Sequence, residues 1–264
     1  MEPFKKILRT PSAFVLVITA VIALIGVIIQ NKTSKEIALI PINATHTAEA
    51  SLTSIPNSNM IFNETFDDNK LGWEIGDGTD VDFIVSREIK DGKYYRRMEM
   101  NDKSDGNYGT VPIPNVIGTN FCLIFDTKKV DGTSKDAGIV VIARATNYNS
   151  DSEERSYYFI GLYEEGKGLI YLNPKSGETR QIGAFNNSLP WSDNLVHTVA
   201  VSLQDNILEI IDWQTKISLY KMTIASSDLL SDTGNIRIGT ELIHPNDNIT
   251  IELDNIVIYN RCPQ

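Results

Sequence analysis

From residue 60 onward the chain breaks, every ten to fifteen residues, into a short run rich in Val, Ile, Tyr and Phe. Such runs read as strands, because β-branched and aromatic side chains fit a pleated, half-buried surface better than the crowded turn of a helix. Thirteen are legible: 60–66, 82–89, 93–100, 120–130, 137–145, 155–164, 168–173, 178–185, 195–203, 206–212, 216–224, 234–242 and 248–259. Between them stand Asp91-Gly92, Asp131-Gly132, Glu165-Gly166, Ser176-Gly177 and Thr233-Gly234. In such pairs glycine takes the positive φ of a tight reversal. Several runs alternate. Leu195, Val199, Val201 and Leu203 share a face opposite Thr198 and Ser202, and Ile217 and Leu219 alternate with Ser218 and Tyr220. A period of two marks one buried face. Only Ser226 to Leu230 reads as a helical turn. Many strands and frequent turns predict an all-β, antiparallel two-sheet sandwich over residues 58–260.

Ahead of this domain lies AFVLVITAVIALIGVII, Ala13 to Ile29, with no charge and only Thr19 polar. At 1.5 Å per residue it spans roughly 25 Å, and Ser12 and Gln30, with snorkelling Arg9 and Lys32, extend it to bilayer thickness. A cleaved secretory signal is the rival reading, since Lys5, Lys6 and Arg9 would serve as its basic leader. The run exceeds the usual apolar core of a signal, however, and QNKTSKE follows with no small-x-small site. The expectation is a transmembrane helix over 13–30, a short basic tail over 1–12 and a Ser/Thr/Asn-rich linker over 31–57. Three basic residues before the run against Lys32 and Lys35 after it orient the tail to the cytoplasm and the domain outside.

Of the 24 Lys and Arg and 34 Asp and Glu, five and three precede residue 57, so the exterior part holds 19 against 31, a net −12. That sign repels phosphate backbones and excludes nucleic acid as a partner. The two cysteines, Cys122 and Cys262, can pair in an oxidising compartment, but Cys122 in FCLIF also fits a buried free thiol, the favoured reading. Five Asn-x-Ser/Thr sequons matter only in a glycosylating host.

A series of local patterns runs in order along the domain. It opens with Phe62…Phe66-Asp67-Asp68…Gly72-Trp73, continues through Asp91-Gly92-Lys93-Tyr94, and reaches Gly138-Ile139-Val140-Val141-Ile142-Ala143-Arg144 before Tyr157-Tyr158-Phe159-Ile160. Asn194-Leu195-Val196-His197 and Thr233-Gly234-Asn235-Ile236-Arg237-Ile238-Gly239 follow, and Ile251-Glu252-Leu253-Asp254-Asn255-Ile256-Val257-Ile258-Tyr259 closes it. The series resembles the concanavalin A-like lectin/glucanase superfamily, and within it the laminin-G-like and 3-keto-disaccharide hydrolase-like jelly rolls. The resemblance implies a jelly roll whose concave face often meets carbohydrate. It implies no single activity, because lectins, glycosidases and adhesion modules share the fold. It also implies a structural Ca²⁺ between first and last strands, for which Glu64, Asp67 and Asp254 are the candidate donors; no other cofactor is required.

Retaining glucanases on this fold carry E-x-D-x-x-E or E-x-D-x-E on one strand face, and neither pattern occurs here. Glu252-x-Asp254 lacks the third carboxylate. His46, His197 and His244 have no ligand spacing, and no G-x-S-x-G, P-loop or G-x-G-x-x-G is present. Sugar faces stack on aromatic rings, so the candidate ligand contacts are Trp191 in SLPWSD, Trp213 at a hairpin, Tyr148 in a polar loop, and Tyr157 and Tyr163, in phase on one central strand, with Arg144. Trp73 reads as packed. The leading expectation is a membrane-anchored, extracytoplasmic, lectin-like module that does not catalyse. A sugar-cleaving enzyme and a sensory ectodomain with protein partners are the alternatives.

Overall fold

In the computed structural model the described residues are 59–263, except 81, 103–105, 135, 149–154, 165 and 187–193. Segments 1–12, 13–30 and 31–57 lie outside them. Among the described residues no helix is long and apolar enough to cross a membrane.

Fifteen strands and one 3₁₀ turn, Ser226–Asp228, make up the described part. The strands are β1 (Met60–Glu64), β2 (Gly76–Thr79), β3 (Phe83–Lys90), β4 (Lys93–Met100), β5 (Asn107–Gly118), β6 (Phe121–Gly132), β7 (Gly138–Thr146) and β8 (Ser156–Tyr163). They continue as β9 (Gly168–Asn173), β10 (Arg180–Phe185), β11 (His197–Gln204), β12 (Ile207–Asp212), β13 (Ile217–Thr223), β14 (Gly234–Leu242) and β15 (Asn248–Tyr259). One sheet runs β13-β12-β11-β6-β15-β4-β3-β2, with β1 added on β15; the other runs β10-β9-β8-β7-β14-β5. The strand pairs are antiparallel, as in the predicted sandwich. All thirteen runs read from the sequence are strands, with ends within two residues. The two unread strands have a common cause. β5 carries Pro112 and Pro114 and β2 is GDGT, residues that leave a ladder and belong on edges, and both strands are edges.

The core lies between the sheets. Phe121, Leu123 and Phe125 of β6, Val199, Val201 and Leu203 of β11, and Ile249, Ile251 and Leu253 of β15 meet Val111, Ile139, Tyr158, Ile160 and Ile238 from the facing sheet. Leu195 precedes β11 and is exposed. On β13 the predicted phase holds only in part: Ile217 is exposed, while Leu219 packs on the core as expected and Tyr220 and Met222 join it there. A bulge opposite Ile210/Ile211 leaves Leu219 without a ladder partner, and one extra residue exchanges the faces.

Cys122 and Cys262 form a disulfide across 140 residues, against the favoured free thiol. The strand's own alternation explains it. Phe121 and Leu123 point inward, so Cys122 points outward, and the Tyr259↔Cys122 register brings the end of β15 beside it, three residues before Cys262.

The entry to the domain is pinned by Glu64, which is buried with both carboxylate oxygens used. Oε1 accepts the Phe66 N–H at 2.8 Å and Oε2 accepts the Trp73 indole N–H at 2.9 Å. Phe66 sits at φ +56°, a strained value for a bulky residue, held there by that bond and by packing against Trp73 and Tyr94.

Candidate functional site

Strand alternation splits the six-stranded sheet into an inner and an outer face. On β8, Tyr158, Ile160 and Leu162 enter the main core, which leaves Tyr157, Phe159, Gly161 and Tyr163 outside. On β14, Ile236, Ile238 and Leu242 go in and Arg237, Gly239 and Glu241 go out. An outer sheet face normally carries polar, solvated residues. Here Val140, Ile142, Ala145, Tyr157 and Phe159 form a second apolar cluster, with Tyr108, Tyr148 and Tyr171 packed on it.

The rings are arranged edge to face. Tyr108 of β5 meets Phe159 at 5.0 Å between centroids, Tyr148 meets Tyr157 at 5.5 Å, and Phe159 meets Tyr171 at 5.9 Å. The Tyr108 and Tyr157 hydroxyls lie 2.7 Å apart although β14 and β7 separate their strands. Their side chains therefore lean together across about 14 Å of sheet and roof Val140 and Ile142, both fully buried. Burial pushes the Tyr108 and Tyr157 phenols up from their ordinary value and keeps them protonated.

Arg237 is the cation of this face. Its guanidinium carbon lies 4.1 Å from the Tyr148 ring centroid, a cation–π contact. Nε and Nη2 donate to Thr110 Oγ1 and to the Thr110 carbonyl, each at 3.0 Å. Thr110 Oγ1 donates onward to the Tyr148 hydroxyl at 3.2 Å. At the other end, Tyr163 lies over Gly138 and Gly161 and donates to Glu241 Oε2. A Cβ would come within 2.8 Å of the ring at Gly138 and 2.7 Å of the hydroxyl at Gly161, so both positions must be glycine for the ring to lie there. Burial raises the Glu241 carboxyl above the ordinary carboxylate range, against the bond from Tyr163.

Of the residues singled out from the sequence, Tyr148, Tyr157 and Tyr163 come together on this face. Arg144 takes no part in it. At φ +51° in the bulge between Ala143 and Thr146 it leaves the strand phase, and its guanidinium donates to the carbonyls of Thr119, Leu230 and Asp205, tying three loops together. Trp213 lies at the β12–β13 turn of the other sheet, with the Lys216 ammonium 3.0 Å from its ring centre. Trp191 is outside the described residues. For calcium, Glu64 spends its oxygens on Phe66 and Trp73, and Asp67 is exposed and accepts from Thr65. Asp254 caps the Asn255 N–H beside Asp126 on the nine-stranded sheet. These three do not fit a shared ion, and no group of three acidic, His or Cys side chains among the described residues is placed to hold a metal. Tyr108, Tyr171, Arg237 and Glu241 are the site residues that sequence reading missed.

The two-sheet antiparallel sandwich is a concanavalin A-like jelly-roll fold. Solved structures agree. A β-1,3-1,4-glucanase (lichenase) from a mouse hindgut metagenome superposes with TM-score 0.51 at 15% identity, over 76% of this chain and 99% of its own. The Bacillus licheniformis β-glucanase gives 0.52 at 11%, over 78% and 100%. A Bacillus subtilis protein of unknown function with a galectin-like fold gives 0.55 at 7%, over 80% and 100%. No protein-family model and no curated protein matches the chain.

Proposed function

We propose that this chain is a membrane-anchored, extracytoplasmic recognition module that binds saccharide on the outer face of its six-stranded sheet without cleaving it. The observation that carries the reading is the composition of that face: over the buried Tyr157 and Phe159, the half-buried Tyr108, Tyr148 and Tyr171 present rings and hydroxyls, the two group types that sugar faces and edges require. Among the described strand residues of the face Glu241 is the one carboxylate, and it is bonded to Tyr163. Two-carboxylate hydrolysis needs a facing pair roughly 5–10 Å apart. The sandwich likeness to glucanases supports the saccharide class, and the Cys122–Cys262 bridge supports an oxidising, exterior compartment.

The test is a glycan array probed with the full-length chain in non-ionic detergent. Specific binding that Tyr171→Ala and Tyr148→Ala abolish, with an unchanged far-UV spectrum, upholds the reading. A folded protein that binds no glycan refutes it. Reducing-sugar release from a bound glycan would replace the lectin by an enzyme. The anchor is checked by the mass of the membrane-extracted protein, which must include residues 1–30.

A further inference from the structure

The hydrogen bonds of the tyrosine face run in one direction. Arg237 can only donate, so Thr110 Oγ1 accepts from its Nε and passes its own proton to the Tyr148 oxygen. The Tyr148 proton then passes on, and the Tyr108 hydroxyl is the neighbour it can reach. Tyr108 and Tyr157 share a single bond, whichever is the donor. With at most three bonds among four hydroxyls, at least one phenol proton is left for an acceptor outside the set. Burial disfavours ionisation of Tyr108 and Tyr157, so these protons stay in place over the physiological range.

The charge beside them is uncompensated. Arg237 is 6% exposed, and no carboxylate pairs with it among the described residues. Glu74, the acid whose field reaches it, is bonded to Arg87 at 2.6 Å. Glu241 has its charged form disfavoured by burial. In a domain of net −12, this face is thus locally cationic and rich in donors. Screening over about 8 Å at physiological ionic strength lets the local sign decide what docks.

Resting on the saccharide reading above, we infer that the ligand of this face is an anionic saccharide, its carboxylate or sulfate seated against Arg237 and the outward phenol proton of the Tyr148, Tyr108 and Tyr157 set. A neutral sugar would satisfy the phenols and leave the guanidinium without a counter-ion. A uronate carboxylate or a sulfate ester supplies acceptors for both and a charge for the arginine.

The experiment measures binding of the full-length chain in non-ionic detergent to four probes by calorimetry. These are an oligogalacturonate, its methyl ester, a sulfated galactan oligosaccharide and its desulfated form. The acidic probes, or one of them, are expected to bind roughly tenfold or more tightly than their neutral partners. Arg237→Gln should erase that preference, and rising salt should weaken acidic binding alone. Tyr148→Phe, which keeps the ring and removes the proton, should reduce acidic binding several-fold even if the arginine variant fails to fold. Binding of the oligogalacturonate alone assigns a carboxylate, and of the sulfated probe alone a sulfate. Equal binding of charged and neutral partners overturns the anionic ligand and leaves the saccharide reading standing. No binding of any probe or of any arrayed glycan overturns both.

Discussion

Arg96 tests how this sandwich balances burial against charge. The side chain is 1% exposed between the sheets. Nε donates to Thr240 Oγ1 at 3.2 Å, Nη1 has no partner, and no carboxylate pairs with the guanidinium among the described residues. Burial lowers its pKa from 12.5 to about 10, with nearby Arg87 acting in the same sense and Tyr94 and Glu74 against it. A lowering of that size is a penalty of about 3 kcal/mol on the charged form. Methionine has similar reach and no charge. Arg96→Met gains most of that penalty, gives up the Thr240 bond at about 1 kcal/mol and leaves a small void at about 1 kcal/mol. The expected result is a protein more stable by about 1 kcal/mol, whereas Arg96→Ala, which removes the aliphatic stem as well, loses about 2 kcal/mol or more. Urea unfolding at pH 7, followed by tryptophan fluorescence, reads both. A fall of more than about 1 kcal/mol for Arg96→Met, at unchanged denaturant slope, refutes the reasoning, because it would show that the buried guanidinium is fully satisfied.

Three further outcomes follow from the same accounting. Cys262→Ser removes a bridge that closes 140 residues, worth about 5 kcal/mol in the chain-entropy account, and reductant should lower the parent's urea midpoint to the variant's without moving the variant. A parent midpoint indifferent to reductant sinks this prediction. Glu64→Gln turns one of two acceptors into a donor, so either Phe66 or Trp73 loses its partner, at about 1–3 kcal/mol by the same urea assay; an unchanged midpoint rejects the pin. Glu241 has a raised folded pKa, so its contribution is fully present below the ordinary carboxylate value and is lost as pH rises through the folded one. Glu241→Gln should therefore raise the melting temperature at pH 7, with the difference from the parent vanishing towards pH 4; a constant difference across that range counts against a buried, titrating carboxyl.

The sandwich was legible because its strands spell their own burial. β7 as GIVVIARAT and β8 as SYYFIGLY have no competing helical period. The hidden strand β5 matters most, for it brings Tyr108 and Thr110 to the site while its prolines argue against a strand. Arg237 and Glu241 did carry a signal. In IRIGTEL the charged residues fall at every fourth position, in phase with each other and out of phase with Ile236, Ile238 and Leu242, which is the pattern of an outward-facing pair. Arg144 misled because a bulge is invisible to alternation: one left-handed residue moved its side chain from the outer face to the loops at the end of the sandwich. The disulfide depended on a register between strands far apart in sequence, which no local pattern encodes.

The strand order sets the entry of the domain apart from the tyrosine face. Residue 60 enters on β1, which adds to the nine-stranded sheet through β15, while the tyrosine face belongs to the outside of the other sheet. β1 is a strand of five residues held by one neighbour, β15. The Glu64 pin and the Cys122–Cys262 bridge stand at that point, one fixing the exit of β1 and the other locking the end of β15 to β6. The buried carboxylate thus holds the turn that follows β1, and the covalent link holds the strand on which β1 depends.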